Sequence, residues 1–368
     1  MSAERSAVAV APAPTLLRRP DAVDLIVIPA AMIAYALLAA GVCAAFGKPS
    51  LFNLQLYLIP FWSFYATAFG IVISIYYVIR GFRHAVGRGH DLDLLGIRLP
   101  ARSGDFLARL ATALPILLVM PFFMTSFTAF KNLANYELPF TWDDSLMRLD
   151  RWLHFGTLPW QWLDLEIWPA TRVIEYIYAS WGLVLVLVPF IVSLEPSGSR
   201  KTRFFVTYML VLILLGNIGA AIFMSAGPFY FGLTPGIANP YQPLLAYLDH
   251  GDLGRMFSAP LFQEYLFKAY QKHKIEFGTG ISAFPSIHVA MATLWVIQFW
   301  RSRGLLFGLA FLHLAVILFG SIHLAWHYAV DGYAGLLGAV AIYQAVGFLQ
   351  RALARRRATG PAAADAPG

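Results

Sequence analysis

The chain has 368 residues, of which 59% are hydrophobic and 13% are charged. A soluble domain carries about 25% charged residues and does not need several uninterrupted apolar stretches of ~20 residues. The composition therefore excludes an ordinary soluble protein and predicts an all-α fold, a polytopic transmembrane helical bundle. The formal charge of +7 does not predict a nucleic-acid partner, because the basic residues lie at the ends of the apolar stretches. The single cysteine, Cys43, excludes an intrachain disulfide.

Eight apolar stretches predict about eight spans, of which the sixth is short. In chain order they cover residues 25–46, 57–79, 106–130, 173–194, 204–224, 285–300, 305–324 and 328–349. The first stretch is too long for the core of a signal peptide, so we expect a retained anchor. We predict one integral-membrane domain over 21–350, between disordered cytoplasmic tails at 1–20 and 351–368 that are rich in Ala and Pro.

The positions of Lys and Arg predict how the bundle is oriented. With eight spans, the segments on one side contain 18 of the 27 basic residues and the segments on the other side contain 9. The positive-inside rule then places both termini in the cytoplasm. We expect a bacterial-type inner membrane, in which the starts of spans six and eight face away from the cytoplasm.

Two long loops, 131–172 and 225–283, lie on the non-cytoplasmic side in this topology. The first contains five tryptophans, which we interpret as an aromatic belt rather than as substrate contacts. Residues 144–153 in this loop have apolar side chains at roughly helical spacing among charged ones. This pattern predicts an interfacial amphipathic helix.

A polar segment, Ala283–His288, opens the sixth span. Pro285 and Ser286 suit the first turn of a helix, where free backbone N–H groups and the helix dipole favour an anion. Ser286 could serve only as a helix cap, but beside His288 we favour a second role in binding phosphate. His288 could donate a proton to a leaving oxygen.

A second polar segment, His327–Asp331, opens the eighth span. Its terminal residues are four apart, so they are neighbours on one face of a helix. An aspartate that accepts a hydrogen bond from one ring nitrogen leaves the other nitrogen as a nucleophile or base. His323 lies one turn earlier on the same stripe and is a candidate phosphate ligand. We interpret the remaining histidines, such as His313, as structural or interfacial.

These segments resemble signature motifs of a known enzyme family. Ala283–His288 and His327–Asp331 are similar to the second and third motifs of the type-2 phosphatidic acid phosphatase superfamily. The closer resemblance is to its inositol phosphorylceramide synthase-like branch, with the patterns Phe-Pro-Ser-x-His and His-Tyr-x-x-Asp. Ser225–Phe231 is similar to the Pro-aromatic motif that precedes them in that branch, and the resemblance covers roughly residues 120–350.

The resemblance implies a role for each residue of a catalytic triad. His327 would be the nucleophile that forms a phosphohistidine, Asp331 would orient it, and His288 would protonate the leaving group. These roles require no metal and no cofactor, and the substrate would be a phospholipid or lipid phosphate drawn from the membrane lipids.

Two departures leave the phosphate-binding cations open. Phosphatases of the superfamily carry an arginine six residues before the nucleophilic histidine, where this chain has Ser321, and no Lys-x6-Arg-Pro string precedes span six. Cations in the loop before His288 could substitute, and we select Lys272 and Lys274 as candidate phosphate ligands. The other basic residues of that loop are Arg255, Lys268 and His273.

The predicted function is a lipid phosphotransferase or phosphatase that moves a phosphate or phospho-headgroup through a phosphohistidine. The synthase-like motifs favour transfer to an alcohol acceptor. One alternative is a phosphatase that hydrolyses phosphatidate- or polyprenyl-phosphate-type lipids. Another is a CDP-alcohol phosphotransferase, for which Asp331-Gly332 is the only hint of the aspartates that hold magnesium. A non-enzymatic carrier of lipid phosphates is the remaining alternative.

Overall fold

The computed structural model describes residues 22–85, 92–94, 97–99, 103–163, 168–233, 236–251, 256–302 and 304–358. The tail predicted over 1–20 lies outside these ranges. Most of the described chain is helical, as predicted. The helices that correspond to the predicted spans are α1 (Val23–Ala45), α2 (Gln55–Ala85), α3 (Ser103–Glu137), α5 (Trp168–Ala179), α6 (Trp181–Ser193), α7 (Ser199–Ile222), α10 (Ile287–Phe299), α11 (Leu305–His323) and α12 (Ala329–Ala358).

The bundle of about eight spans is confirmed. In the described part of the chain, α1, α2, α3, α7, α11 and α12 are each long and apolar enough to cross a membrane. The α5–α6 pair qualifies as a seventh span if it is taken together, although it bends by 46° at a short break. The remaining predicted span, the sixth in chain order, is α10, which has only 13 residues. The chain is therefore an integral membrane protein.

Smaller elements fill the connections between spans. A two-stranded antiparallel hairpin follows α2, with β1 (Leu92–Leu94) paired to β2 (Ile97–Leu99). It is an addition to the predicted all-α fold. The predicted amphipathic helix is observed as α4 (Asp143–Leu153). Two further helices, α8 (Gln242–Gly251) and α9 (Ala259–Gln271), occupy the long connection before α10.

The last helix continues beyond the predicted boundary of the membrane domain. The sequence predicts disorder from residue 351, but α12 extends to Ala358. Alanine and arginine, which dominate this segment, are among the best helix formers, so an established helix can propagate through them into water. Residues 359–368 lie outside the described ranges.

Helix α10 lies at the centre of the bundle and packs against α11 and α12. Its side chains are buried all round, including Val289, Met291 and Trp295. A helix that is hydrophobic on every side is expected in such a core position. This placement explains why α10 can be short, because neighbouring helices rather than lipid surround it.

The first turn of α10 lies directly against α12. Gly335 makes this approach possible, because a Cβ atom at this position would overlap the carbonyl oxygen of Ser286. The contact brings the two histidine segments, which are far apart in sequence, to the same end of the bundle.

We predict that Gly335→Ala destabilises the protein, because the added methyl group meets backbone that cannot rotate away. Overpacking of this kind costs about 1–3 kcal/mol. Thermal unfolding in detergent should show a lower Tm. Gly70→Ala is the matched control, because Gly70 lies within α2 with no atom within 4 Å of the added Cβ. It should leave the Tm unchanged or raise it through helix propensity, and an equal response of both variants would contradict the packing argument.

Candidate active site

A cavity of about 270 Å³ opens between the spans and the connection that precedes α10. Apolar and aromatic side chains of α2, α3 and α6 form much of its wall. These include Tyr57, Phe61, Met124, Phe127, Leu185 and Val186. His288 and His327 also line the cavity and are the predicted catalytic residues found there.

His327, Asp331 and His288 form a continuous line of contacts. The Nδ1 atom of His327 lies 3.3 Å from Oδ2 of Asp331, and its Nε2 atom lies 3.2 Å from Nδ1 of His288. Asp331 is completely buried. In the tautomer whose Nδ1–H donates a hydrogen bond to this carboxylate, the Nε2 nitrogen keeps its lone pair. The structure thus brings together the three residues that the sequence predicts as the catalytic triad.

Backbone hydrogen bonds fix the turn that carries His327. The turn connects α11 to α12, and the N–H groups of Trp326 and His327 both donate to the carbonyl oxygen of Ser321, at 3.0 and 2.9 Å. The Tyr328 N–H donates to Oδ2 of Asp331 at 3.0 Å. Asp331 therefore organises the backbone of the turn as well as the imidazole.

The first turn of α10 carries His288 and contacts the second motif directly. Ser286 precedes the helix, and its Oγ atom accepts the Val289 N–H at 3.4 Å. The Ser286 N–H donates to the carbonyl oxygen of Asp331 at 3.0 Å. The rings of Tyr178 and Trp181 pack on His288 with centroid separations of 5.2 and 4.2 Å. These contacts restrict the orientation of the His288 ring.

The electrostatic environment keeps His327 neutral in the resting site. Burial, followed in importance by the positive charge of Lys131, lowers the pKa of His327 to about 3. At neutral pH the ring is therefore an uncharged imidazole with one unprotonated nitrogen.

Lys131 is a cation of the cavity that the sequence analysis missed. It lies on α3 and lines the cavity together with the two histidines. Two signals could have identified it. A lysine within a long apolar stretch is costly unless it has a function. In addition, Lys131 is followed by Leu138-Pro139, which reproduces the Lys-x6-Arg-Pro spacing with leucine in place of arginine.

Polar neighbours of Lys131 on α3 hold the wall of the cavity. Asn135 forms two hydrogen bonds of 2.5 Å with the backbone N–H and carbonyl oxygen of Ile281. Asn132 donates to the carbonyl oxygen of Thr279 at 3.2 Å. Thr128 lies 2.5 Å from the Tyr57 hydroxyl. Hydrogen bonds from one face of α3 therefore fix the position of residues 279–281, which lead into His288.

The loop lysines selected from the sequence lie elsewhere. Lys274 pairs with Glu276 at 2.7 Å, with most of its side chain in solvent. Lys272 directly follows the last residue of α9 and is exposed. Neither lines the cavity described above. Their sequence proximity to His288 was misleading, because the intervening segment turns back along α3. Arg255 lies outside the described residues.

The other two predicted phosphate ligands have structural contacts instead. Ser286 is fully buried in its capping position. The Nε2 atom of His323 lies 2.7 Å from Oγ1 of Thr171, which in turn contacts the Tyr247 hydroxyl at 2.8 Å. Neither residue lines the cavity. His323 and His327 do not share a helix face, because α11 ends at His323 and the helix does not continue to His327.

The Pro-aromatic segment Ser225–Phe231 connects the two histidine motifs. The N–H of Ala283 donates to the Ser225 carbonyl oxygen at 2.9 Å, and the N–H of Phe229 donates to the Ala325 carbonyl oxygen at 3.0 Å. Gly227 has φ +95, and a Cβ there would crowd the carbonyl oxygen of Trp326. Glycine is required because the chain passes so close to the His327 turn.

Among the described residues, no group of three His, Cys, Asp or Glu side chains is placed to hold a metal ion. Activity without metal remains a prediction.

Comparison with known proteins identifies the family. A family model described as the PAP2 superfamily matches residues 144–345, which include both histidine motifs. No curated protein and no solved structure matches the chain. Because the match covers more than half of the sequence and agrees with the superfamily predicted from the motifs, the chain belongs to the PAP2 superfamily, whose members are phosphatases and phosphotransferases.

Proposed function

We propose that this protein transfers a phospho-headgroup from a membrane phospholipid to an alcohol acceptor, as inositol phosphorylceramide synthase-like enzymes do. The observation that carries the proposal is the line of contacts from Asp331 through His327 to His288 at the cavity. In this proposal His327 is the nucleophile, Asp331 its orienting acid and His288 the proton donor, and the cavity beside the two histidines is large enough for a phosphate.

In the first step, the Nε2 lone pair of His327 attacks phosphorus and forms an N–P bond. The P–O bond to the leaving group breaks, and the leaving oxygen takes a proton from His288, which enters this step as the imidazolium. The phosphorylated ring retains its Nδ1 proton and becomes cationic. Asp331 stabilises that charge through its contact with Nδ1.

In the second step, an acceptor hydroxyl attacks the phosphohistidine. Neutral His288 takes the hydroxyl proton, the new O–P bond forms, and the N–P electron pair returns to His327. The same residue thus acts first as acid and then as base, so the cycle ends with both histidines in their starting states.

The charge balance of the site favours a phosphodiester donor. Among the described residues, Lys131 is the only Lys or Arg whose side chain lines the cavity. At the reacting atoms, its charge and that of His288, in the protonated form that the first step requires, are offset by Asp331 and one negative charge on the substrate. A phosphodiester carries that single charge, whereas a phosphomonoester dianion would leave a buried negative charge uncompensated, which is costly. This supports transfer from a phospholipid over hydrolysis of a lipid phosphate.

The cavity wall supports a lipid as the donor. The side chains that α2, α3 and α6 contribute are largely apolar. An apolar pocket with a few convergent polar groups suits a ligand with hydrocarbon next to a charged head.

The function is tested by incubating purified protein with a phosphodiester lipid, phosphatidate or a polyprenyl phosphate, each with and without a lipid alcohol. Mass spectrometry of the products should show headgroup transfer from the diester lipid to the alcohol, in the presence of EDTA. Release of inorganic phosphate from the monoesters alone would establish the phosphatase alternative. Activity lost to chelation and restored by magnesium would contradict the histidine mechanism, and binding without turnover would indicate a carrier.

We predict unequal effects of His327→Ala and Asp331→Asn. The first removes the attacking nitrogen and should abolish turnover and the acid-labile phosphoprotein. The second keeps the shape but loses the orientation of the ring, so activity should fall by roughly 10²- to 10⁴-fold without vanishing. His273→Ala is the control, because His273 packs against Tyr136 and does not line the cavity. Wild-type turnover by His327→Ala would refute the covalent mechanism.

We predict that Lys131→Met raises KM for the phospholipid donor by about 100-fold. Removing one partner of a buried charge pair costs ~3 kcal/mol, which corresponds to this factor. Lys131→Arg should retain much of the affinity. Lys268→Met serves as the control, because Lys268 is an exposed lysine paired with Glu264 on α9. Steady-state kinetics in mixed micelles provide the comparison, and an equal KM for all three variants would exclude Lys131 from binding phosphate.

The proposed orientation places the cavity on the non-cytoplasmic face and both termini in the cytoplasm. We predict that cysteine at Arg148, which is exposed on α4, reacts with an impermeant thiol reagent added outside intact cells. Cysteine in place of Arg301, which follows α10, should react only after the membrane has been permeabilised. Both are made in a Cys43→Ser background, since Cys43 is the native thiol. Reversed labelling would overturn the orientation.

A further inference from the structure

Helix α4 buries two carboxylates that the proposed chemistry does not use. Asp143 and Asp150 lie two helical turns apart on its inner face and are almost completely buried. Neither is ion-paired with a Lys or Arg among the residues that the structure describes, and the Nδ1 atom of His154 lies 3.7 Å from Oδ1 of Asp150. A buried carboxylate without a cation is costly unless other groups stabilise it, so the arrangement requires an explanation.

Asp150 binds the backbone between two catalytic residues. Its Oδ2 atom accepts the Ala329 N–H and its Oδ1 atom accepts the Val330 N–H, both at 3.0 Å. These are free N–H groups of the first turn of α12, where the helix dipole favours a negative charge. The carboxylate therefore fixes the position of the segment that begins with His327 and ends with Asp331.

Asp143 holds the same segment from the other side. Its carboxylate accepts the N–H groups of Ala226 and Gly227, each at 2.8 Å. It also accepts the hydroxyl of Tyr328 at 2.8 Å. Tyr328 follows His327 directly, and Gly227 lies against the carbonyl oxygen of Trp326. Asp143 thus connects the Pro-aromatic segment to the turn that carries the nucleophile.

We infer that Asp150 and Asp143 are positioning residues for the reaction. They hold the His327–Asp331 segment at the distance from His288 that in-line attack requires, and neither lines the cavity. The inference rests on the proposed function, because the position of His327 matters only if it attacks phosphorus. A misplacement of about 1 Å can lower a rate on the order of 10²-fold.

The occupied helix terminus has a consequence for the substrate. Since Asp150 fills the N-terminus of α12, this terminus cannot also bind the phosphate of the donor. Binding of the phosphate then depends on Lys131 and His288, so loss of Asp150 should affect catalysis while leaving substrate affinity nearly unchanged.

The test compares Asp150→Asn and Asp143→Asn with Asp144→Asn in the full-length protein. Asp144 lies on the same helix but pairs with Arg148 near the surface. For each variant, kcat and KM are measured well below its Tm and normalised to the folded fraction. We expect kcat to fall about 100-fold for Asp150→Asn and less for Asp143→Asn, with KM within twofold of wild type. Asp144→Asn should match wild type.

A purely structural role would lower the Tm and the folded fraction but leave kcat per folded molecule unchanged, and this result would overturn the inference. A parallel rise in KM would also contradict it. A double-mutant cycle of Asp143→Asn with Tyr328→Phe adds a second criterion, because the two losses of kcat should be non-additive if they act through one hydrogen bond. If the wild-type protein shows no turnover, the proposed function fails instead, so the two failures are distinguishable.

Discussion

The hydrogen bond from the Ser286 N–H to the carbonyl oxygen of Asp331 is the contact on which the site depends. It joins the first turns of α10 and α12 in a buried region where an unsatisfied backbone group would be costly. His288 follows Ser286 by two residues and His327 precedes Asp331 by four, so this contact brings the two rings to the same place in the bundle. Gly335 is needed for the same reason, since any side chain there would displace the Ser286 backbone.

Polar groups in this bundle are arranged in layers around that contact. The histidines meet the cavity, the carboxylates of α4 hold the backbone behind them, and Asn132 and Asn135 hold the segment in front. Asp143, Asp150, Asn132 and Asn135 all bond to backbone groups, which is how a low-dielectric interior accommodates buried polar side chains. The apolar helices form the body of the bundle, and the hydrogen bonds to backbone groups determine the relative positions of the polar side chains at the cavity.

The class of the protein and its paired motifs could be predicted from the sequence because both are local patterns. Apolar length predicts spans, and the four-residue spacing of His327 and Asp331 places them on one face of a turn. Lys131 could not be recognised by these rules, because a lysine near the end of a span also serves as a marker of topology. In the sequence, Asp143 and Asp150 look like residues of the solvent-exposed face of an amphipathic helix. Only the packing of α4 against α12 reveals that they are buried.

The short length of α10 has a consequence for the acceptor. Thirteen residues rise about 20 Å, which is roughly 10 Å less than the hydrocarbon thickness of a bilayer. In the proposed mechanism, the phosphohistidine at the start of this short helix would form nearer the hydrocarbon than the ends of the longer spans, where water is scarcer than at the surface. In the proposed reaction, such a depth would favour lipid alcohols over water as acceptors and would make the ratio of transfer to hydrolysis sensitive to bilayer thickness through hydrophobic mismatch.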